Sequence, residues 1–133
     1  MNRDAAADST VQGAKVEYAN VFAADAAPVV DFLSRHFGFT VLHAGDDYTA
    51  LSAGSISLGV AKVDTADPQQ ASLVGVHTGV GIMVDDLDAA HAALADAGVE
   101  FTLPPTRYPW GGYMALVADP AGNVYYLDQR GTH

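Results

Sequence analysis

Hydrophobic positions along this chain fall into two similar series, separated by a polar stretch at Asp64–Ser72 (DTADPQQAS). In the first series, Val16–Ala23 (VEYANVFA) alternates as a half-buried strand does. Asp25 stands where a helix needs a cap, and Pro28 falls in the first turn, where its missing N–H is harmless. Val29, Val30, Leu33 and Phe37 form an apolar stripe, and Gly38 supplies the stop. Three short strands follow at Phe39–His43, Tyr48–Ala53 and Ser55–Val63, punctuated by Gly45-Asp46 and Gly54.

The second series repeats the plan. Val76–Val84 (VHTGVGIMV) predicts a strand, and Asp85-Asp86 precede a helix whose apolar face is Leu87, Ala90, Leu94 and Ala97, ended by Gly98. Val99–Leu103, Tyr113–Ala118 and Val124–Asp128 complete the series, the last two joined by a tight turn over Asp119–Asn123. Placing Asp25 on Asp86 brings Tyr18 onto Gly79. A β-α-β-β-β unit used twice predicts an α+β fold: two tandem βαβββ modules related by a pseudo-twofold axis. Each sheet then carries a helix on one face, and the opposite, concave faces meet in a cleft. The expected layout is a disordered tail over 1–14 and one domain over 15–133, divided into modules 15–66 and 74–130.

Strand parity selects the residues of the concave faces. Tyr18, Asn20 and Phe22 share one face of the first opening strand, and His77, Gly79, Gly81 and Met83 share one face of the second. Val124 and Tyr126 join from the closing strand, and His43 is placed to look inward from its strand end. Pro104–Gly112 (PPTRYPWGG) reads as a stiff loop that holds Tyr108, Trp110 and Tyr113 as a wall at the cleft mouth, or in which Trp110 only covers the sheet end; the sequence leaves both open. The candidate ligand-binding set is therefore Tyr18, Asn20, Phe22, His43, His77, Met83, Tyr108, Trp110, Tyr113 and Tyr126. His36 belongs to a helix C-terminus, His91 to a helix surface and His133 to the chain end.

Composition narrows the function classes. The 133 residues are half hydrophobic and 17% charged, an ordinary globular balance. Without cysteine there is no disulfide, thiolate metal site or thiol nucleophile. A formal charge of −10 repels phosphate backbones, which argues against nucleic-acid partners, and it attracts cationic ligands. No apolar run approaches the roughly 20 residues of a membrane span, and no signal-peptide core is visible, so no membrane partner and a cytoplasmic location are expected.

Two stretches, Gly79–Asp88 (GVGIMVDDLD) and Trp110–Leu127 (WGGYMALVADPAGNVYYL), with a looser match at Phe32–Val41 (FLSRHFGFTV), resemble the vicinal-oxygen-chelate family of glyoxalase, bleomycin-resistance and extradiol-dioxygenase proteins. The Asp-Pro-x-Gly-Asn turn is its clearest marker. Here Asp119 can bond nearby backbone, Pro120 fixes φ, and Gly122-Asn123 tolerate positive φ, a structural role. Metal-dependent members of the family take one ligand from the first strand and one from the last strand of each module. Those positions fall here on Tyr18, Gly79 and Tyr126, and Ser55–Val63 offers no His, Asp or Glu. His77 and His43 without a carboxylate companion make a poor replacement. The resemblance thus implies the fold without its metal, and no cofactor.

What remains is a cleft of aromatic and neutral polar groups, suited to a planar or bulky organic molecule. The resemblance to the metal-free bleomycin-resistance branch implies a small-molecule binding protein that sequesters an antibiotic or another aromatic or cationic natural product. It also implies a homodimer, domain-swapped or side by side, with the ligand near the subunit interface. Two alternatives stay open. One is an enzyme of lyase, isomerase or dioxygenase type, using His77 with Tyr18 or Tyr126 as an acid–base pair or a non-standard metal site. The other is an accessory module that binds a protein partner.

Overall fold

In a computed structural model, residues 9–132 are described. The part of the expected tail formed by residues 1–8 lies outside them, and residues 9–14 are exposed and belong to no helix or strand. The first unit runs β1 (Tyr18–Ala23), α1 (Ala26–Phe37), β2 (Thr40–Ala44), β3 (Tyr48–Ser52) and β4 (Ser57–Lys62). A short helix, α2 (Pro68–Ala71), crosses the polar stretch. The second unit runs β5 (His77–Val84), α3 (Leu87–Asp96), β6 (Glu100–Arg107), β7 (Tyr113–Ala118) and β8 (Val124–Gln129). Each forms a four-stranded mixed sheet, in the orders β1-β4-β3-β2 and β5-β8-β7-β6. The opening strand is an edge in both and runs parallel to the closing strand.

The matched aspartates do the same work in both halves. Asp25 caps α1 by accepting from the Ala27 N–H, and Asp86 caps α3 by accepting from the Ala89 N–H. Gly38, at φ 72°, ends α1 in the left-handed conformation that a Cβ would disfavour. Val29, Phe32 and Leu33 of α1 are buried, as are Leu87 and Leu94 of α3; Phe32 thus belongs to the helix stripe.

Beneath the helices lie Val21 and Ala23 of β1, Leu51 of β3, Leu58 and Val60 of β4, Ile82 of β5, Ala115 and Val117 of β7, and Tyr125 and Leu127 of β8. These belong to one hydrophobic cluster spanning both halves. Phe32 of α1 stacks on Tyr125 of β8 with ring centroids 6.3 Å apart.

The marker turn does more than reverse the chain. Asp119 is buried, and its carboxylate accepts from the Ala121 and Asn123 N–H groups, the Asn123 amide and the Tyr125 hydroxyl. Gly122 alone in this turn takes positive φ, at 85°, so the expectation that Asn123 shares it is corrected. Asn123 is fully buried instead. Its Nδ2 donates to the Phe22 carbonyl at 2.9 Å, and its Oδ1 accepts from the Gly75 N–H at 2.8 Å. The turn residue is thus the polar clamp between the two halves.

One boundary departs from the sequence pattern. The predicted loop Pro104–Gly112 loses its first four residues to β6, which continues to Arg107. Because β6 is a sheet edge, prolines are tolerated there, and register shifts on either side of Leu103 absorb the irregularity.

Candidate functional site

Register shows which side chains share the uncovered face of the first sheet. Tyr18 pairs with Ser57, Asn20 with Gly59 and Phe22 with Ala61; Gly59 pairs onward with Ala50, and Ala50 with His43. A bulge between Val41 and His43 keeps His43 on this face. Tyr18 is 62% exposed, Asn20 and His43 are exposed, and Phe22 is half-buried.

A residue absent from the candidate set completes this face. Tyr48, across Ala61 from Phe22, leans diagonally over Gly59, and its hydroxyl donates to Asn20 Oδ1 at 2.8 Å. A Cβ at Gly59 would lie 2.0 Å from the Tyr48 hydroxyl and 2.4 Å from Asn20 Oδ1. Glycine is therefore what lets the pair lie flat on the strand. The signal available in the sequence was a glycine in an apolar closing strand, which often marks a close approach.

On the second sheet, His77 pairs with Val124 and Gly81 with Tyr126, so β5 carries two extra residues between those points. The even number preserves parity, and His77, Gly81 and Met83 all stay on the uncovered face. Gly79, at φ 74°, lies inside the bulge, where the regular alternation expected through it breaks. The Gly79 N–H turns back to donate to His77 Nδ1 at 3.2 Å. With Nδ1 an acceptor, the neutral ring carries its proton on Nε2. Thr78 is satisfied locally, donating to the Val124 carbonyl and accepting from the Val80 N–H. The His77 ring meets Tyr126 edge-on, with centroids 4.7 Å apart.

The halves meet at a cavity of about 150 Å³ lined by Asn20, Val21, Phe22, Leu73, Val76, His77, Thr78 and Asn123. Three candidate residues, Asn20, Phe22 and His77, are thus brought together by strands from both units.

The remaining candidates lie elsewhere. Tyr108 and Trp110 stack with centroids 5.7 Å apart, on a turn closed by the Tyr108 N–H to Gly112 carbonyl bond. Trp110 is 60% exposed and lies over Gly112, and neither ring borders the cavity. Tyr113 is a correction. It shares a strand face with buried Ala115 and Val117 and packs on the core, so it faces α3. Its hydroxyl bonds Asp88 of α3, and the Arg107 guanidinium lies 4.1 Å from its ring centroid. The Asp88 carboxylate, by accepting that proton, raises the Tyr113 phenol above its usual range. His91, expected on a helix surface, is half-buried edge-on against Phe101.

The family's metal positions do not fit a divalent ion in this chain. Tyr18, Gly79 and Tyr126 offer two phenols and no carboxylate or imidazole. Among the described residues no three His, Cys, Asp or Glu side chains gather into a ligand set.

A search of curated proteins finds no match. Among solved structures, a superfamily member from Sphaerobacter thermophilus DSM 20745 is 24% identical with a TM-score of 0.73, covering 88% of this chain and 98% of that one. TnmS3, described as an antibiotic binding protein from Streptomyces sp. CB03234, is 26% identical with a TM-score of 0.70, covering 91% and 98%. A lactoylglutathione lyase from Agrobacterium tumefaciens is 18% identical with a TM-score of 0.72, covering 88% and 94%. The same architecture thus carries both a binding protein and an enzyme, and the likeness to the lyase is one of fold alone. No helix is long and apolar enough to cross a membrane among the described residues. The family model for the Glyoxalase/Bleomycin resistance protein/Dioxygenase superfamily matches residues 15–125, and the chain belongs to that superfamily.

Proposed function

We propose that this chain is a metal-independent binding protein for an organic small molecule, held on the uncovered faces of the two sheets. The observation that carries the reading is the character of those faces. Tyr18, Phe22, Tyr48 and Tyr126 supply aromatic surface, Asn20 and His77 supply polar groups, Asp128 beside Met83 adds one carboxylate, and among the described residues no group of three His, Cys, Asp or Glu accompanies them. Aromatic rings with few fixed polar groups gain affinity by stacking and burial and need no reacting centre. The charge of −10 favours a neutral or cationic guest over an anion.

A natural-product antibiotic is the ligand class we favour, and the likeness to TnmS3 supports it. We also propose that the site is completed by a second copy of the chain. Tyr18, Val41, Leu42, Met83 and Trp110 are large apolar groups exposed on a single chain, and a homodimer would cover such surface. The organisation into a tail and two modules, 15–66 and 74–130, belongs to the same reading.

The enzymatic alternative rests on His77 and Tyr126. The Gly79 N–H engages His77 Nδ1, which leaves Nε2–H as the other ring group of the neutral imidazole, a donor and not a base. Binding is the better fit. Native mass spectrometry against a panel of aromatic natural products tests the reading. The expected result is a dimer that takes up intact ligand without metal; a ligand recovered chemically altered contradicts it.

A further inference from the structure

The cavity where the two halves meet has an unusual polar balance. Four of its lining residues carry polar side chains: Asn20, His77, Thr78 and Asn123. The hydrogen-bonding groups of Thr78 are engaged by the Val124 carbonyl and the Val80 N–H. Those of Asn123 are engaged by Gly75, Phe22 and Asp119. Asn20 Oδ1 is taken by the Tyr48 hydroxyl, and His77 Nδ1 by the Gly79 N–H. Among the polar side chains of these four residues, the groups left without a partner are Asn20 Nδ2 and His77 Nε2, and both are N–H donors. The other lining residues, Val21, Phe22, Leu73 and Val76, are apolar.

We infer that this cavity is an acceptor-recognition subsite, in which Asn20 and His77 together bind a carbonyl oxygen on the rim of a planar aromatic ligand. The inference rests on the binding reading above and adds the chemistry the ligand must carry. A carbonyl oxygen has two lone pairs, matching two donors. A neutral oxygen also suits an acidic protein, whereas a carboxylate would meet the repulsion of a −10 field. An apolar group there would leave two N–H donors desolvated and unpaired, so the subsite discriminates as well as binds. Tyr48 and Gly59 act as positioning residues. Tyr48 holds the Asn20 amide through its hydroxyl, and Gly59 leaves room for it to do so.

The test compares 9-fluorenone with fluorene, which share a ring system and differ in the carbonyl, by fluorescence titration of the full chain. Wild type is expected to bind the ketone at least about tenfold more tightly. Asn20→Leu and His77→Phe, which keep volume and remove a donor, should each reduce that ratio to about threefold, and the double variant should abolish it. The narrowing should come from weaker ketone binding together with tighter fluorene binding, because each variant removes a donor that fluorene leaves unpaired. Gly59→Ala, which displaces the Asn20–Tyr48 pair without touching either donor, should narrow the ratio as Asn20→Leu does. Circular dichroism confirms that each variant is folded. Equal binding of the two probes by wild type overturns the subsite and leaves the binding reading standing. Binding of neither overturns both.

Discussion

At the scale of single residues, the polar groups divide by burial into those that hold the fold and those left on the uncovered faces. Asp119, Asn123 and Tyr125 are buried and bonded to one another, whereas Asn20 and His77 are exposed and retain unused donors. Burial, followed by the charge of Asp119 and the bond to it, raises the Tyr125 phenol above its ordinary value. The sign of the pH effect follows. The folded state holds a proton that the unfolded chain releases above its ordinary value near 10, so this contribution is intact below that pH and lost above it. The thermal midpoint should therefore fall between about pH 9 and 11, and Tyr125→Phe should flatten that fall while costing about 2 kcal/mol at neutral pH. Calorimetry across that range checks both.

Parity alone was enough to place Asn20, Phe22 and His77 on the uncovered faces, because alternation is a local property of a strand. Tyr48 was not legible in that way. Its reach to Asn20 depends on the register of β3, β4 and β1 together and on an unoccupied Cβ position at Gly59. Tyr113 was misplaced for a related reason: the loop assigned before it begins later than proline content suggests, and the residue belongs to the helix-bearing face.

At the scale of elements, the two opening strands carry the site and differ in regularity. β1 pairs with β4 residue by residue, whereas β5 bulges between His77 and Gly81. Gly79 makes the bulge possible at φ 74°, with no neighbour within 4 Å of an added Cβ. Substitution there meets a backbone penalty and no steric one. Gly79→Ala should cost about 1 kcal/mol of stability. It should also disturb the His77 Nδ1 contact, which ¹⁵N NMR of the imidazole would register as a changed tautomer balance. An unchanged tautomer would separate the bulge from the site. Helix starts were readable from Asp25 and Asp86 because capping is a local rule. The extent of β6 was not, because only its position at a sheet edge makes Pro104 and Pro105 acceptable.

At the scale of the whole molecule, duplication made the architecture legible from sequence, since two weak patterns agreeing in order are stronger than either. How the halves are joined was hidden. Asn123 looked like a turn residue and is the buried polar link between Phe22 and Gly75. Asn123→Ala would leave the Phe22 carbonyl and the Gly75 N–H without that partner. A loss of about 3 kcal/mol is expected. With one hydrophobic cluster spanning both halves, urea unfolding should remain a single transition at lower midpoint. Two separated transitions would show that the halves fold independently.

The central claim is that this member of the superfamily binds without metal and without chemistry. Isothermal titration of a ligand identified in the natural-product panel, before and after exhaustive dialysis against a chelator, tests it most directly when the ligand is then recovered and weighed by mass spectrometry. The same affinity in both titrations and a ligand of unchanged mass are expected. Affinity lost with the chelator and restored by a divalent ion, or a ligand returned with altered mass, would contradict it.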